Sequence, residues 1–309
     1  MISIWKQERN QLIEIARPEK NCWFNVIDPT TEEINTLKNK FEVPDYFIRD
    51  VLDVDERPRS EVFERWLVLL LRIPIHEEKA LVPYHTVPLG ILISRHYIFT
   101  VCHKPNVVID SLLQNKFKSL NLCNRHGFVL YLFFRSAIFY SRYLKEINRQ
   151  TMNIEQELEK SSKNYELIRL LNLEKSLVYF ITSLKANELL IEKLKRSKFA
   201  QDTEVDQDLV EDAQIETKQA LEMANIYSNI LSGLMDAFAS VISNNLNQTM
   251  KQLTSITLIL MLPTLIASIY GMNVKIPFED NPNAFWMIVA VAGVLAFVGG
   301  YFFRKKDYF

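Results

Sequence analysis

Hydrophobic positions along this chain fall into three successive patterns. Through about residue 120, short apolar runs alternate with polar, turn-like segments. Cys22–Ile27, Trp66–Ile75, Val87–Ser94 and Tyr97–His103 read as strands. Thr30 followed by Glu33 forms a capping box that opens a helix to about Lys40, and Asn106–Leu120 reads as another helix. From Arg125 to about Lys198 the pattern is helical, in long charged amphipathic segments. From about Thr203 to Tyr270 there is one glycine, Gly233, and one proline, Pro263. Leu209, Ile215, Leu221, Ile226, Ile230, Leu234, Phe238 and Val241 recur there at helical spacings. A single helix is predicted, on the order of 100 Å long at 1.5 Å per residue, with Asp202 or Thr203 as its cap. So long a helix needs neighbours, and self-association about a common axis supplies them.

The end of the chain changes the picture. Gln252–Val274 and Asn281–Phe303 each contain 23 residues without a charge. A bilayer core needs roughly 20 apolar residues as helix. The linker between the two runs is short and carries Lys275, Glu279 and Asp280, so the runs read as a membrane hairpin. Lys251 precedes it and Arg304, Lys305 and Lys306 follow it, which predicts both ends of the hairpin, and hence both chain termini, in the cytoplasm. Tyr270, Trp286 and Tyr301 stand near the span ends, as interfacial aromatics do. The second span is apolar on every side. The first carries Thr254, Thr257, Met261, Thr264 and Ser268 at spacings of 3, 4, 3 and 4, which places them on one helical face. The stripe extends back to Met250, Asn247 and Ser243 and forward to Gly271. Such a stripe serves either close helix packing or a water-accessible pathway made by several copies. Its length, continuing below the membrane, favours the pathway. Pro263 leaves the Ile259 carbonyl without its usual donor.

Composition narrows the function classes. Net charge is −1, which gives no basis for a nucleic-acid partner. Cys22, Cys102 and Cys123 are sparse and widely spaced, as buried thiols of a reducing compartment are. The N-terminus lacks the basic and apolar regions of a cleaved signal peptide. No phosphate loop or HExxH segment occurs, and the five histidines show no metal-ligand spacing. With no nucleophile–base pair either, the chain is not expected to be an enzyme. Met152 and the aromatics between Tyr131 and Phe139 read as core, and the charged stretch from Asp50 to Pro58 as a surface loop. Asp202, Glu204, Asp206, Asp208, Glu211, Asp212 and Glu216 form an acidic run, ordinarily a solvated helix start, with a divalent-ion role as the alternative. Asp236 is an isolated acid in the apolar stretch GLMDAFASVI. In an oligomer it would face its copies or a neighbour, where a cation would relieve the repulsion.

The fold class expected is an α+β membrane protein. Residues 1–120 form a cytosolic α/β domain and 121–202 a helical bundle. Residues 203–250 are the stalk of a pore helix whose membrane part is 251–271. A loop follows at 272–284, a second span at 285–303 and a basic tail at 304–309.

Tyr270-Gly271-Met272-Asn273, directly after a penultimate membrane helix and ahead of a basic tail, resembles the signature of the CorA family of magnesium channels. RPRSEVFERWLVLL also looks like that family's RPK-containing segment, with Arg59 where lysine is usual. The resemblance covers essentially the whole chain. It implies a funnel-shaped homopentamer in the plasma membrane, admitting Mg2+ and also Co2+ or Ni2+. Asn273, with Gly271 and Met272, would form an amide ring at the pore mouth for hydrated Mg2+, which sheds water reluctantly. Gly271 would allow the turn at the helix end. Asn247, Met250, Leu253, Met261 and Thr264 match pore-lining positions of the family; the family places Leu253 where the periodicity favours Thr254. Gating by cytosolic Mg2+ bound between subunits is implied, with Asp236 and Asp212 as acids and Glu77 as the partner of Asp236. The acid expected near Phe133–Ala137 for a second site is absent, and Glu216 stands where a histidine can occur. The alternatives are a zinc exporter of the same fold, against which Met272 counts, and a non-conducting scaffold anchored in the bilayer.

Overall fold

The computed structural model describes residues 1–9, 11–114, 122–160, 164–196, 207–272 and 282–305. They divide into two compact units, Met1–Gly233 and Leu234–Phe309.

The first unit is built on a seven-stranded sheet: β1 (Ile2–Glu8), β2 (Gln11–Glu14), β3 (Cys22–Ile27), β4 (Arg59–Phe63), β5 (Trp66–His76), β6 (Tyr84–Ile93) and β7 (Tyr97–Cys102), in the order β2-β1-β3-β7-β6-β5-β4. Only the β3–β7 pair is parallel. Because side chains alternate across a strand, neighbouring residues feed separate cores. Phe24, Val68, Leu70, Leu92 and Phe99 pack with Leu37, Phe47, Ile48 and Val51 of two short helices, α1 (Thr31–Phe41) and α2 (Asp45–Leu52). Trp23, Leu69, Leu71, Ile91 and Ile98 pack on the other face beneath α3 (Val107–Leu113), α4 (Arg125–Lys160) and α5 (Asn164–Arg196).

The capping box is present, with Thr30 and Glu33 bonding each other's backbone. Asn106 caps α3, accepting from the Ile109 N–H at 2.9 Å; residues 115–121 of the helix expected to run to Leu120 lie outside the described residues. Gly90 lets α2 lie flat on β6, since a β-carbon there would come within 2.2 Å of Val51 Cγ2.

α4 and α5 form an antiparallel pair, joined by an Arg169–Glu157 ion pair at 2.8 Å and an edge-on Tyr140–Phe180 contact. α5 also completes the sheet. β4 pairs with β5 only as far as Leu70, leaving the Arg72 backbone without a strand on that side. The Asn187 amide takes its place. Asn187 Oδ1 accepts from the Arg72 N–H at 3.1 Å, Nδ2 donates to the Arg72 carbonyl at 2.7 Å, and Tyr140 Oη donates to the same carbonyl at 3.1 Å.

Three expectations are corrected in this unit. The Asp50–Pro58 stretch is more than a loop in solvent. Arg59 pairs with Asp50 and Glu56, and the Arg72 guanidinium donates to the carbonyls of Val54 and Glu56 at 2.8 and 2.9 Å, tying the stretch to the sheet. Cys123 is exposed, unlike the buried Cys22 and Cys102, because it sits on the turn before α4. Met152 is 53% exposed, lying on the outer face of α4.

The last long helix, α6 (Gln207–Tyr270), is continuous through Pro263. Its proposed caps, Asp202 and Thr203, lie outside the described residues. Within the first unit it buries Val210, Ala213, Thr217, Ala220, Ala224 and Leu231, a row of mostly small residues at helical spacing. The second unit holds the remainder of α6 and α7 (Ala284–Lys305). Both helices are long and apolar enough to cross a membrane, and almost nothing in their apolar windows is buried within the chain.

Candidate ion pathway

The C-terminal half of α6 presents two unlike faces. On one, Gln252, Ile259, Pro263, Ile266 and Tyr270 are partly covered and Ser255 is buried. The second helix supplies the cover. β-carbons placed on Gly299 and Gly300 of α7 would lie 3.8 and 3.9 Å from Ile259, ordinary van der Waals contact, which puts this part of α7 against the Ile259 face. The Ser255 hydroxyl on this face donates to the Lys251 carbonyl at 2.8 Å.

The other face is open. Asn247, Met250, Thr254, Thr257, Met261, Thr264 and Ser268 are all exposed, and so is Leu253 beside them. The helix therefore places the sequence-derived stripe on one continuous surface, turned away from the Ile259 face that α7 covers. The hydroxyls of Thr257 and Thr264 donate to the Leu253 and Leu260 carbonyls of their own helix, each at 2.8 Å. With its proton committed, each threonine oxygen has lone pairs left for outward contacts. That chemistry suits water molecules held in a cation's hydration shell. Neither hydroxyl reaches the Ile259 carbonyl that Pro263 deprives of a donor.

Gly271 stands at the turn that follows the helix end, without a left-handed backbone. No described glycine has a positive φ, and the Gly271 N–H bonds the Ala267 carbonyl at 2.9 Å as helix backbone does. Its lack of a side chain relieves crowding, because a β-carbon would sit 3.3 Å from that carbonyl oxygen. Met272 is exposed just beyond. Asn273 lies outside the described residues.

The acids expected to be regulatory have unlike surroundings. Asp212 and Asp236 are exposed on α6. Glu77, at the end of β5, is already engaged. Lys104 Nζ donates to Glu77 Oε1 at 2.6 Å, and His85 Nε2 lies 3.8 Å from Oε2. The Lys104 hydrogen bond holds the Glu77 carboxyl below its ordinary pKa. Burial, with the Lys104 charge beside it, holds the His85 imidazole below its own. A divalent ion at Glu77 would have to displace an ammonium of the same chain, so this carboxylate fits a metal poorly. Among the described residues, no group of three or more His, Cys, Asp or Glu side chains is arranged to hold a metal ion.

Two features escaped the periodicity argument. The contact of the Gly299-Gly300 part of α7 with Ile259 of α6 lies in a span that reads as apolar on every side, so no face of it stood out. The engagement of Glu77 has no signal in sequence, since Lys104 is 27 residues away.

Residues 18–305 match the family model of the CorA-like Mg2+ transporter protein. The chain is 30% identical over 292 residues to the cobalt/magnesium transport protein CorA of Methanocaldococcus jannaschii, covering 93% of this chain and 90% of that protein. The complete structure of the CorA magnesium transporter from the same organism is similar with a TM-score of 0.82 at 25% identity, over 100% of this chain and 99% of that one. The ZntB cytoplasmic domain from Vibrio parahaemolyticus is similar in fold alone, with a TM-score of 0.59 at 14% identity over 79% of this chain and 97% of that one.

Proposed function

The chain belongs to the CorA-like Mg2+ transporter family, and from that premise we propose that it is one subunit of a homopentameric channel admitting Mg2+, and also Co2+ and Ni2+, passively into the cytosol. The observation that carries this reading is the open face of α6, where polar and methionine positions continue over about 20 residues without cover from the chain. Five such faces around one axis would cover one another and enclose a path. Met250, Leu253 and Met261 would form its apolar constrictions, and Asn247, Thr257 and Thr264 its polar levels. A scaffold has no need of a polar row through the bilayer, and Met272 in the YGMN segment argues against zinc export.

Asn273 from each copy would complete a ring of amide oxygens at the outer mouth. Neutral oxygens suit an ion that keeps most of its water. An inward-negative potential supplies about 2.3 kcal/mol per charge per 100 mV, and about twice that for a divalent ion. The Arg304 and Lys305 end of α7 supports a cytoplasmic C-terminus. Cytosolic Mg2+ bound at Asp236 between subunits would close the path. Since Glu77 is paired with Lys104, the partner of Asp236 is another acceptor, or the pair opens first.

Mg2+ influx into liposomes holding the purified protein tests the reading, with and without Asn273→Ala, at low and high internal Mg2+. Influx that the substitution abolishes and internal Mg2+ suppresses is expected. No influx under an inward-negative potential, with outward zinc movement driven by a proton gradient, would overturn it in favour of the exporter.

A further inference from the structure

The end of α7 carries a concave surface that ion transport does not use. Phe297, Gly300, Tyr301 and Arg304 follow one another at steps of three, one and three residues, on one helical face, and line a groove of about 690 Å³. Gly300 forms its floor, since no side chain stands there between Phe297 and Tyr301, both exposed. The face continues toward the middle of the span as Gly293 and Val294. A β-carbon on Gly293 would meet nothing within 4 Å, and Val294 is exposed. The chemistry of this strip changes along the helix axis. It is apolar from Gly293 to Gly300, carries a phenol at Tyr301 and becomes cationic at Arg304, with Lys305 next. Neither Arg304 nor Lys305 makes a hydrogen bond or ion pair among the described residues. From Phe297 to Arg304 the helix rises about 10 Å, enough to leave the hydrocarbon and enter a headgroup layer about 5–8 Å thick.

We propose that this groove binds one anionic glycerophospholipid, its phosphate on the Arg304 guanidinium and one acyl chain along Gly300, Phe297 and Val294. A guanidinium fork matches two phosphate oxygens, and the Tyr301 ring stands where interfacial aromatics do. Charge selects among lipids. A zwitterionic head would bring its own ammonium against Arg304 and Lys305, whereas a phosphoglycerol head brings none. Shape and polarity select against other occupants. A soluble phosphate would satisfy Arg304 but leave the apolar part of the groove unfilled, and a second α7 in the same orientation would set Arg304 against Arg304. Basic residues at a membrane surface attract anionic lipids diffusely; the notch at Gly300 makes this place a site. The inference needs only that α7 spans a bilayer. The orientation proposed above puts the lipid in the cytoplasmic leaflet, but its binding does not depend on that.

The test uses the full chain in detergent and counts retained lipid by native mass spectrometry, with phosphatidylglycerol and phosphatidylcholine of equal chain length. Phosphatidylglycerol is expected to bind about fivefold more tightly or better, and Arg304→Gln to bring it to within about twofold of phosphatidylcholine. Phe297→Ala and Gly300→Leu keep every charge and are expected to weaken phosphatidylglycerol binding about threefold, through lost or blocked acyl contact. Circular dichroism confirms that each variant is folded. Equal retention of the two lipids by the unaltered chain overturns the proposal. So does a loss with Arg304→Gln that neither groove variant shares, which would identify diffuse attraction to a charged surface. Displacement of the lipid by millimolar glycerol 1-phosphate would identify a soluble-anion site and overturns it equally. Binding is read without flux, so a chain that retains phosphatidylglycerol in this way yet carries no Mg2+ would overturn the transport reading alone.

Discussion

The sheet unit and the C-terminal unit handle unmet valences in opposite ways. In the first, several groups removed from water find partners inside the chain: Asn187 stands in for a missing strand, Ser183 shares a hydrogen bond with Thr86 at 2.8 Å, and Arg72 donates to three carbonyls. In the second, the helix backbone is satisfied, but apolar side chains such as Leu260, Met261 and Leu265 stand open. Backbone hydrogen bonds can close within a single helix, so that part survives in lipid without a partner. Side-chain surfaces cannot, and lipid or further copies must supply the contacts. One chain thus contains a unit built around closed cores and a unit whose apolar side chains are left open along two helices.

Truncation gives the sharpest break in this contrast. Trp23→Ala removes a fully buried ring whose Nε1 donates to Thr100 at 2.8 Å, and is expected to cost about 3–5 kcal/mol in denaturant unfolding of the sheet unit. Met261→Ala, on the open face, should change stability by less than about 0.5 kcal/mol yet alter Mg2+ flux. Equal stability losses would erase the distinction. Next in size, Gly90→Ala forces a β-carbon into Val51 and Phe47 and should lower stability by about 1–3 kcal/mol. Asn187→Ala leaves both backbone groups of Arg72 without their amide partner and should cost about 1–2 kcal/mol, with Asn187→Asp recovering only the accepting half.

Acidification gives the smallest effect. Folded His85 and Glu77 both titrate below their ordinary values, so the unfolded chain binds protons first. Stability should be full above about pH 6.5, fall as His85 protonates below it, and fall again below about pH 4.5 through Glu77. Burial holds His103 below its ordinary value as well, so His85→Gln should shrink the first step in a plot of unfolding midpoint against pH without abolishing it.

How far the sequence reached can be seen element by element. Cys22–Ile27 was legible to the residue because a strand buried on both faces is a nearly continuous apolar run, here broken by Asn25 alone. β1, β2 and β4 lie at or near the sheet margins, where exposed charges interrupt the alternation; Arg59-Ser60-Glu61 in β4 reads as polar surface. α2 has eight residues, too few for a period to declare itself. The Thr254–Ser268 stripe was legible because one long helix converts spacing directly into a face. Glu77 was legible only as an acid, because Lys104 reaches it through sheet pairing that local patterns do not encode. Met152 and Cys123 were misread because an apolar or sulfur-bearing residue gives no sign of which side of its helix or turn it occupies.

The threonines of the open face carry one more consequence. A hydroxyl that gives its proton to its own helix cannot pass one along. In the proposed pentamer, the levels of Thr257 and Thr264 would offer electron pairs while their hydrogens stay with their own helix. Side chains at those two rungs would steady a hydrated cation while taking no part themselves in a relay of protons.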